Sequence, residues 1–312
     1  MPFFGLSGLP PNRGRDPAAG RAPRLDLAGA AGVTGCVAAL IYGLSHGQQQ
    51  GFATPGTLGA LGLSAALGVA FVVTERRAAA PMVPLRVLAD PSRRAALLVQ
   101  FLLSAVIGGY VYFIALYMQR GLGFSALRAG LGLLPATVTI MVMSAFVTRR
   151  LLARLGARRV LGCGVVLVAA GQLWLARLGM SGGYPVNVLP GITASALGMS
   201  LVFPTASIVV TAGMRPGERG LAGGLFAMSQ QVGLAVGVAV LATVAAARTR
   251  AAVSAPAAPA PGAAALVSGY RLSYLAGAAI AAATLALTLA LLRPHPDEIT
   301  ATSVSRPGNG PR

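Results

Sequence analysis

Apolar runs of about 20 residues, the length that crosses the hydrocarbon core of a bilayer, recur along this chain with almost no charge inside them. Eight can be marked, over residues 25–45, 56–74, 95–118, 126–147, 160–178, 187–211, 220–246 and 270–292. In lipid every backbone polar group must be satisfied within its own segment, so each run is expected to be a helix. Only 10% of the residues are charged, against the roughly 25% of ordinary soluble domains, and the mean hydropathy is +0.72. The fold class these features predict is an all-α polytopic membrane protein with about eight transmembrane helices. The fourth and sixth runs contain Pro135 and Pro204, which spanning helices tolerate when neighbours satisfy the freed carbonyls.

The net charge of +18 points elsewhere, towards nucleic acid, and so does the stretch TRRLLARLGARR at 148–159. The positions of the 25 basic residues, all of them arginine, decide the matter. If the chain crosses a membrane at each run, 19 arginines fall on one side; Arg120, Arg128, Arg177, Arg248, Arg250 and Arg271 fall on the other. That is the positive-inside pattern, and it predicts a multi-pass protein of the cell membrane with both termini in the cytoplasm. TRRLLARLGARR is then a cytoplasmic loop between the fourth and fifth spans. Apolar runs flank it on both sides, so it has no soluble face to offer a nucleic acid. The beginning of the chain, MPFFGLSGLPPNRG, does not read as a signal peptide, because no basic region precedes an apolar core.

These positions divide the chain into an N-terminal cytoplasmic segment (1–24), two helices (25–74), a linker rich in proline and arginine (75–94), six further helices (95–292) and a tail expected to be disordered (293–312). The alanine- and proline-rich stretch 247–269 reads as an outer connector. Six consecutive spans suggest half of a transporter, itself made of two three-helix repeats of inverted topology.

Chemistry within the spans is sparse. No acidic residue lies between Asp90 and Glu218, Asp26 sits at a span end beside Arg24, and His46 and His295 fall outside the spans. A proton-coupling group, which would be an intramembrane titratable residue, is therefore expected elsewhere. HExxH, Walker and cysteine–histidine patterns are absent. Gly179-Met180-Ser181-Gly182 looks like a serine-protease motif but has no histidine in a late span to act as base. No enzyme activity, metal or cofactor is implied, and Cys36 and Cys163 read as small packing residues. What remains are amides and phenols: Gln100, Tyr110, Tyr112 and Tyr117 in the third span, Gln172 in the fifth, Gln230 and Gln231 in the seventh. These are either interhelical hydrogen bonds or the lining of a path for a large apolar or cationic solute; Gln100, Tyr110, Gln230 and Gln231 are the candidates for substrate contact. Gly220/Gly224 and Gly233/Gly237 have the spacing that lets helices approach closely. Trp174 suits an interfacial anchor.

Four stretches together resemble the fourteen-span drug:proton antiporters of the major facilitator superfamily, and specifically their C-terminal part. PMVPLRVL (81–88) is similar to the linker before the second six-helix bundle, and GFSALRAGLGLLP (123–135) to the start of that bundle's second helix. RRLLARLGARR (149–159) is similar to the repeated cytoplasmic loop motif, carried here by Arg150, Arg154, Gly156, Arg158 and Arg159. ERGLAGGLFAMSQQVGLAVGVAVLATV (218–244) is similar to the penultimate helix. The resemblance implies one six-helix facilitator bundle plus two extra helices, efflux of hydrophobic or cationic small molecules, and protons as the co-substrate. It also implies departures: Arg149 replaces a glycine, Ala153 an aspartate and Ala227 an asparagine. The first six-helix bundle has no counterpart in the chain, so the chain is expected not to transport alone. A truncated gene or mis-called start, a split transporter with a partner chain carrying that bundle, or a smaller non-transporting membrane protein would each account for this.

Overall fold

Long runs of alanine and leucine favour helix, lipid keeps the glycines among them helical by leaving the backbone no other partner, and the computed structural model is all-helical across the residues it describes: 27–50, 54–77, 90–179, 183–214, 219–253 and 263–291. The N-terminal segment 1–24, most of the linker 75–94 and the tail 293–312 lie outside these. In chain order the helices are α1 (Leu27–Gln50), α2 (Pro55–Arg77), α3 (Pro91–Leu116), α4 (Ala126–Val142), α5 (Thr148–Leu175), α6 (Tyr184–Asn187), α7 (Leu189–Thr211), α8 (Arg219–Val253) and α9 (Ala263–Leu291). A π turn extends α3 over Tyr117–Gly121, and another joins α4 to α5 over Met143–Val147. Asp90 starts α3 by accepting the Ser92 N–H at 2.9 Å, with Pro91 in the first turn, where its missing N–H is harmless.

Among the described residues five helical runs are long and apolar enough to cross a membrane. The sequence led us to expect eight. The spans expected at 126–147 and 160–178 fall within one helical run, Ala126–Leu175, while α1 and α2 carry shorter apolar segments, Thr34–Gly43 and Pro55–Ala70. The expected loop 148–159 is helical except at Gly156 (φ 76°, ψ 161°), a conformation that glycine adopts without steric cost. The chain direction reverses there. Tyr184 and Ser200 of the α6–α7 region meet Gly132 and Ser144 of α4, so α4 runs parallel to α7. Gly198 and Gly191 of α7 meet Gly164 and Gly171, so the part of α5 after Gly156 runs antiparallel to α7. The α8 helix continues seven residues beyond its expected end, because the alanines and arginines of 245–251 are strong helix formers.

The packing repeats. Gly233 and Gly237 of α8 press against the backbone of Phe101 and Ala105 of α3, so α3 and α8 are parallel, as α7 and α4 are. Phe113 and Val106 of α3 face Tyr270 and Gly277 of α9, so these two are antiparallel, as α7 and α5 are. Units α3–α4–α5 and α7–α8–α9 thus make equivalent contacts with direction reversed, an inverted repeat. The bundle core lies where α3, α5, α7 and α9 meet, around Leu103, Ile114, Leu161, Val168, Ile192 and Tyr274. The α1–α2 hairpin is joined by Cys36 and Ser64, whose Oγ donates to the Cys36 carbonyl at 2.9 Å, and α1 rests on α8.

Candidate functional site

Helix ends leave four carbonyls without helical donors, and this bundle, poor in acids, satisfies them with arginine. Arg158, at the start of the second half of α5, donates to the Leu289 carbonyl at the end of α9 (2.6 Å). Arg271, near the start of α9, donates to the Ala176 carbonyl at the end of α5 (3.2 Å). The same exchange stitches α3 to α7. Arg93, buried and 3.8 Å from Asp90, donates to the carbonyls of Val210 (2.9 Å) and Ala212 (3.0 Å). At the opposite end Asn187 donates to the Tyr117 hydroxyl (3.0 Å), which donates to the Gly179 carbonyl (2.8 Å). Neither Arg93 nor Asn187 stood out in the sequence; the Asp-Pro helix start at 90–91 was the available signal for Arg93. Fixed in this way at both ends, the antiparallel pairs form a rigid frame.

On this frame the expected site residues separate. Gln100 is fully buried, its Nε2 donating to Ser104 Oγ at 3.2 Å, and its Oε1 has no partner among the described residues. Tyr110 is 4% exposed, inside the core. Gln230 is half-buried on α8 and Gln231 is exposed. Gln231 shares a face with Gly220, Gly223, Gly224, Ala227 and Met228, all uncovered, and a Cβ on any of those three glycines would meet nothing. The structure therefore does not bring the four residues together. Gln172, also fully buried, and Tyr274 leave Nε2 and the phenol hydroxyl without partners among the described residues.

Arg150, Arg154, Gly156, Arg158 and Arg159 gather at the α4–α5 reversal, next to the end of α9. Among the described residues the ion pair recorded is Asp90–Arg93, and no cluster of three potential metal ligands occurs. Cys36 and Cys163 are free thiols, and Cys163, expected to be packed, lies uncovered on α5. Trp174 donates to the Val186 carbonyl at 3.1 Å, holding the turn before α7. A groove of about 560 Å³ between α1 and α2, lined by Gly35, Ala38, Tyr42, Gly56, Gly59 and others, holds none of the expected site residues.

A bundle of long apolar helices packed as inverted repeats defines a multi-pass membrane protein. Residues 27–238 match the Major Facilitator Superfamily, and the chain belongs to that family. It is 33% identical over 232 residues to the puromycin resistance protein pur8 of Streptomyces alboniger, covering 74% of this chain and 46% of that protein. It is 34% identical over 227 residues to the cephamycin export protein CmcT of Amycolatopsis lactamdurans (71% and 46%). It is 34% identical over 229 residues to a probable actinorhodin transporter of Streptomyces coelicolor (71% and 39%). The chain spans less than half the length of these relatives.

Proposed function

We propose that α3 to α9 form one wall of a two-walled export path for hydrophobic or cationic small molecules in the cell membrane. About eight spans in all, with both termini in the cytoplasm, fit this reading and the C-terminal part of a fourteen-span antiporter. The observation that carries it is Gln231, an amide uncovered within a span, on a face of small residues. An amide facing hydrocarbon without partners costs several kcal/mol, whereas facing a hydrated path it costs little. Gln230 and Gln231 line the wall, and Gln100 and Tyr110 form the packed layer behind it. Arg150, Arg154, Gly156, Arg158 and Arg159 form the turn that ties α5 to α9 within the wall. A second six-helix bundle, on the same polypeptide or on a partner chain, supplies the facing wall, as the similarity to less than half of each relative suggests. Protons are the co-substrate the likeness implies.

The chain purified alone and reconstituted in vesicles is expected to give no pH-driven export of puromycin or ethidium above empty vesicles. Robust export by the isolated chain would overturn the two-wall reading. An immunoblot of native membranes with a C-terminal antibody locates the second wall: a band far above 31.3 kDa puts it on the same polypeptide, and a band at that mass puts it on another.

A further inference from the structure

We propose that the arginine-bearing turn between α4 and α5 is the docking surface for the chain's own acidic pair, Asp297 and Glu298. The sequence places these six and seven residues beyond Leu291, the last residue of α9. Arg158 fixes the geometry. Its Nη2 rests on the Leu289 carbonyl at 2.6 Å, so the turn lies against the end of α9 from which the acidic segment continues. Six and seven residues span at most about 20 and 25 Å, a reach that allows both carboxylates to meet the turn. Arg158 also has an unmet need. Its Nε is buried and has no hydrogen-bond partner among the described residues, and a guanidinium N–H in that state suits a carboxylate oxygen. Charge completes the match. Arg149, Arg150, Arg154, Arg158 and Arg159 bring five positive charges within eleven residues that hold no acid. Of the chain's seven acids, Asp297 and Glu298 are the only adjacent pair. Tethering makes the contact intramolecular, with an effective concentration that free carboxylates do not reach. The contact fastens the α4–α5 turn to α9 and does not depend on the transport reading.

The test is limited trypsin digestion of the full chain, in detergent and in zwitterionic vesicles, with cleavage after Arg149, Arg150, Arg154 and Arg159 followed by mass spectrometry. Asp297→Asn/Glu298→Gln is expected to speed cleavage at the turn by about three- to tenfold, the range that two exposed ion pairs supply. Cleavage at Arg177 and Arg271, at the other end of the bundle, is expected to stay unchanged. At about 1 M salt, where screening falls to roughly 3 Å, the unmodified chain is expected to approach the variant. Equal rates for the two proteins would overturn the proposal, and so would faster cleavage at both ends. Protection that appears only with anionic lipid, whether or not the acids are present, would also overturn it and assign the turn to lipid phosphate.

Discussion

At the residue scale, one proline explains a threonine. Pro204 has no N–H, so within α7 the Ser200 carbonyl loses its helical donor. Thr148 Oγ1 donates to that carbonyl at 2.9 Å, with Ser144 Oγ further off at 3.4 Å. The same hydroxyl lies 3.1 Å from the Met143 carbonyl, which steadies the π turn. Thr148→Val keeps the shape and removes the nearer donor, leaving the carbonyl the long Ser144 bond, a loss of about 1 kcal/mol. Pro204→Ala restores a helical N–H to Ser200, so Thr148→Val is expected to cost less in that background. A double-mutant cycle on unfolding in detergent reads the coupling, and additive effects would show that the two residues do not share the carbonyl. Pro204 was visible in the sequence as a helix irregularity. Its partner was not, because Thr148 opens a stretch whose arginines dominate any reading of it.

At the scale of elements, α8 carries two glycine pairs that look alike in sequence and differ in space. Gly233 and Gly237 are pressed on α3, where a Cβ on Gly237 would collide with the backbone of Ala105. Gly220 and Gly224 meet nothing within 4 Å. Gly237→Ala is expected to destabilise by about 1–3 kcal/mol through overpacking, while Gly224→Ala is expected to stabilise by about 0.5–1 kcal/mol through helix propensity. Thermal unfolding of the two variants in detergent checks the difference in sign. The existence of the long helices was legible in hydropathy, because lipid leaves the backbone no other choice. Which face of α8 meets α3 was not legible, since glycine spacing is the same on both faces and the choice is made by the partner helix. The reversal at Gly156 reads as a loop in the sequence for a similar reason: arginine density marks a membrane side, whereas leucine, alanine and arginine also propagate helix up to the one residue that tolerates a positive φ.

At the scale of the whole molecule, the uncovered surfaces differ in kind. On α5 the uncovered stripe is Cys163, Val166, Ala170, Leu173 and Trp174, which is apolar up to the interfacial tryptophan and suits lipid. On α8 it is glycine, alanine and methionine leading to Gln231. Sequence alone treated Gln100 and Gln231 as equals, two amides in two spans; the fold buries one inside the bundle and turns the other outward. If the α8 face lines a hydrated path between two bundles, its chemistry differs from that of the α5 face although the chain covers neither. In the two-bundle assembly, a cysteine at Gln231 in a background lacking Cys36 is expected to react with a hydrophilic maleimide. Native Cys163 is expected to stay at least about tenfold slower, because a water-soluble reagent does not reach a thiol that faces hydrocarbon. In the chain alone, where lipid meets both faces, the difference is expected to vanish. Equal labelling of both positions in the assembly would place lipid, not a substrate path, against Gln231.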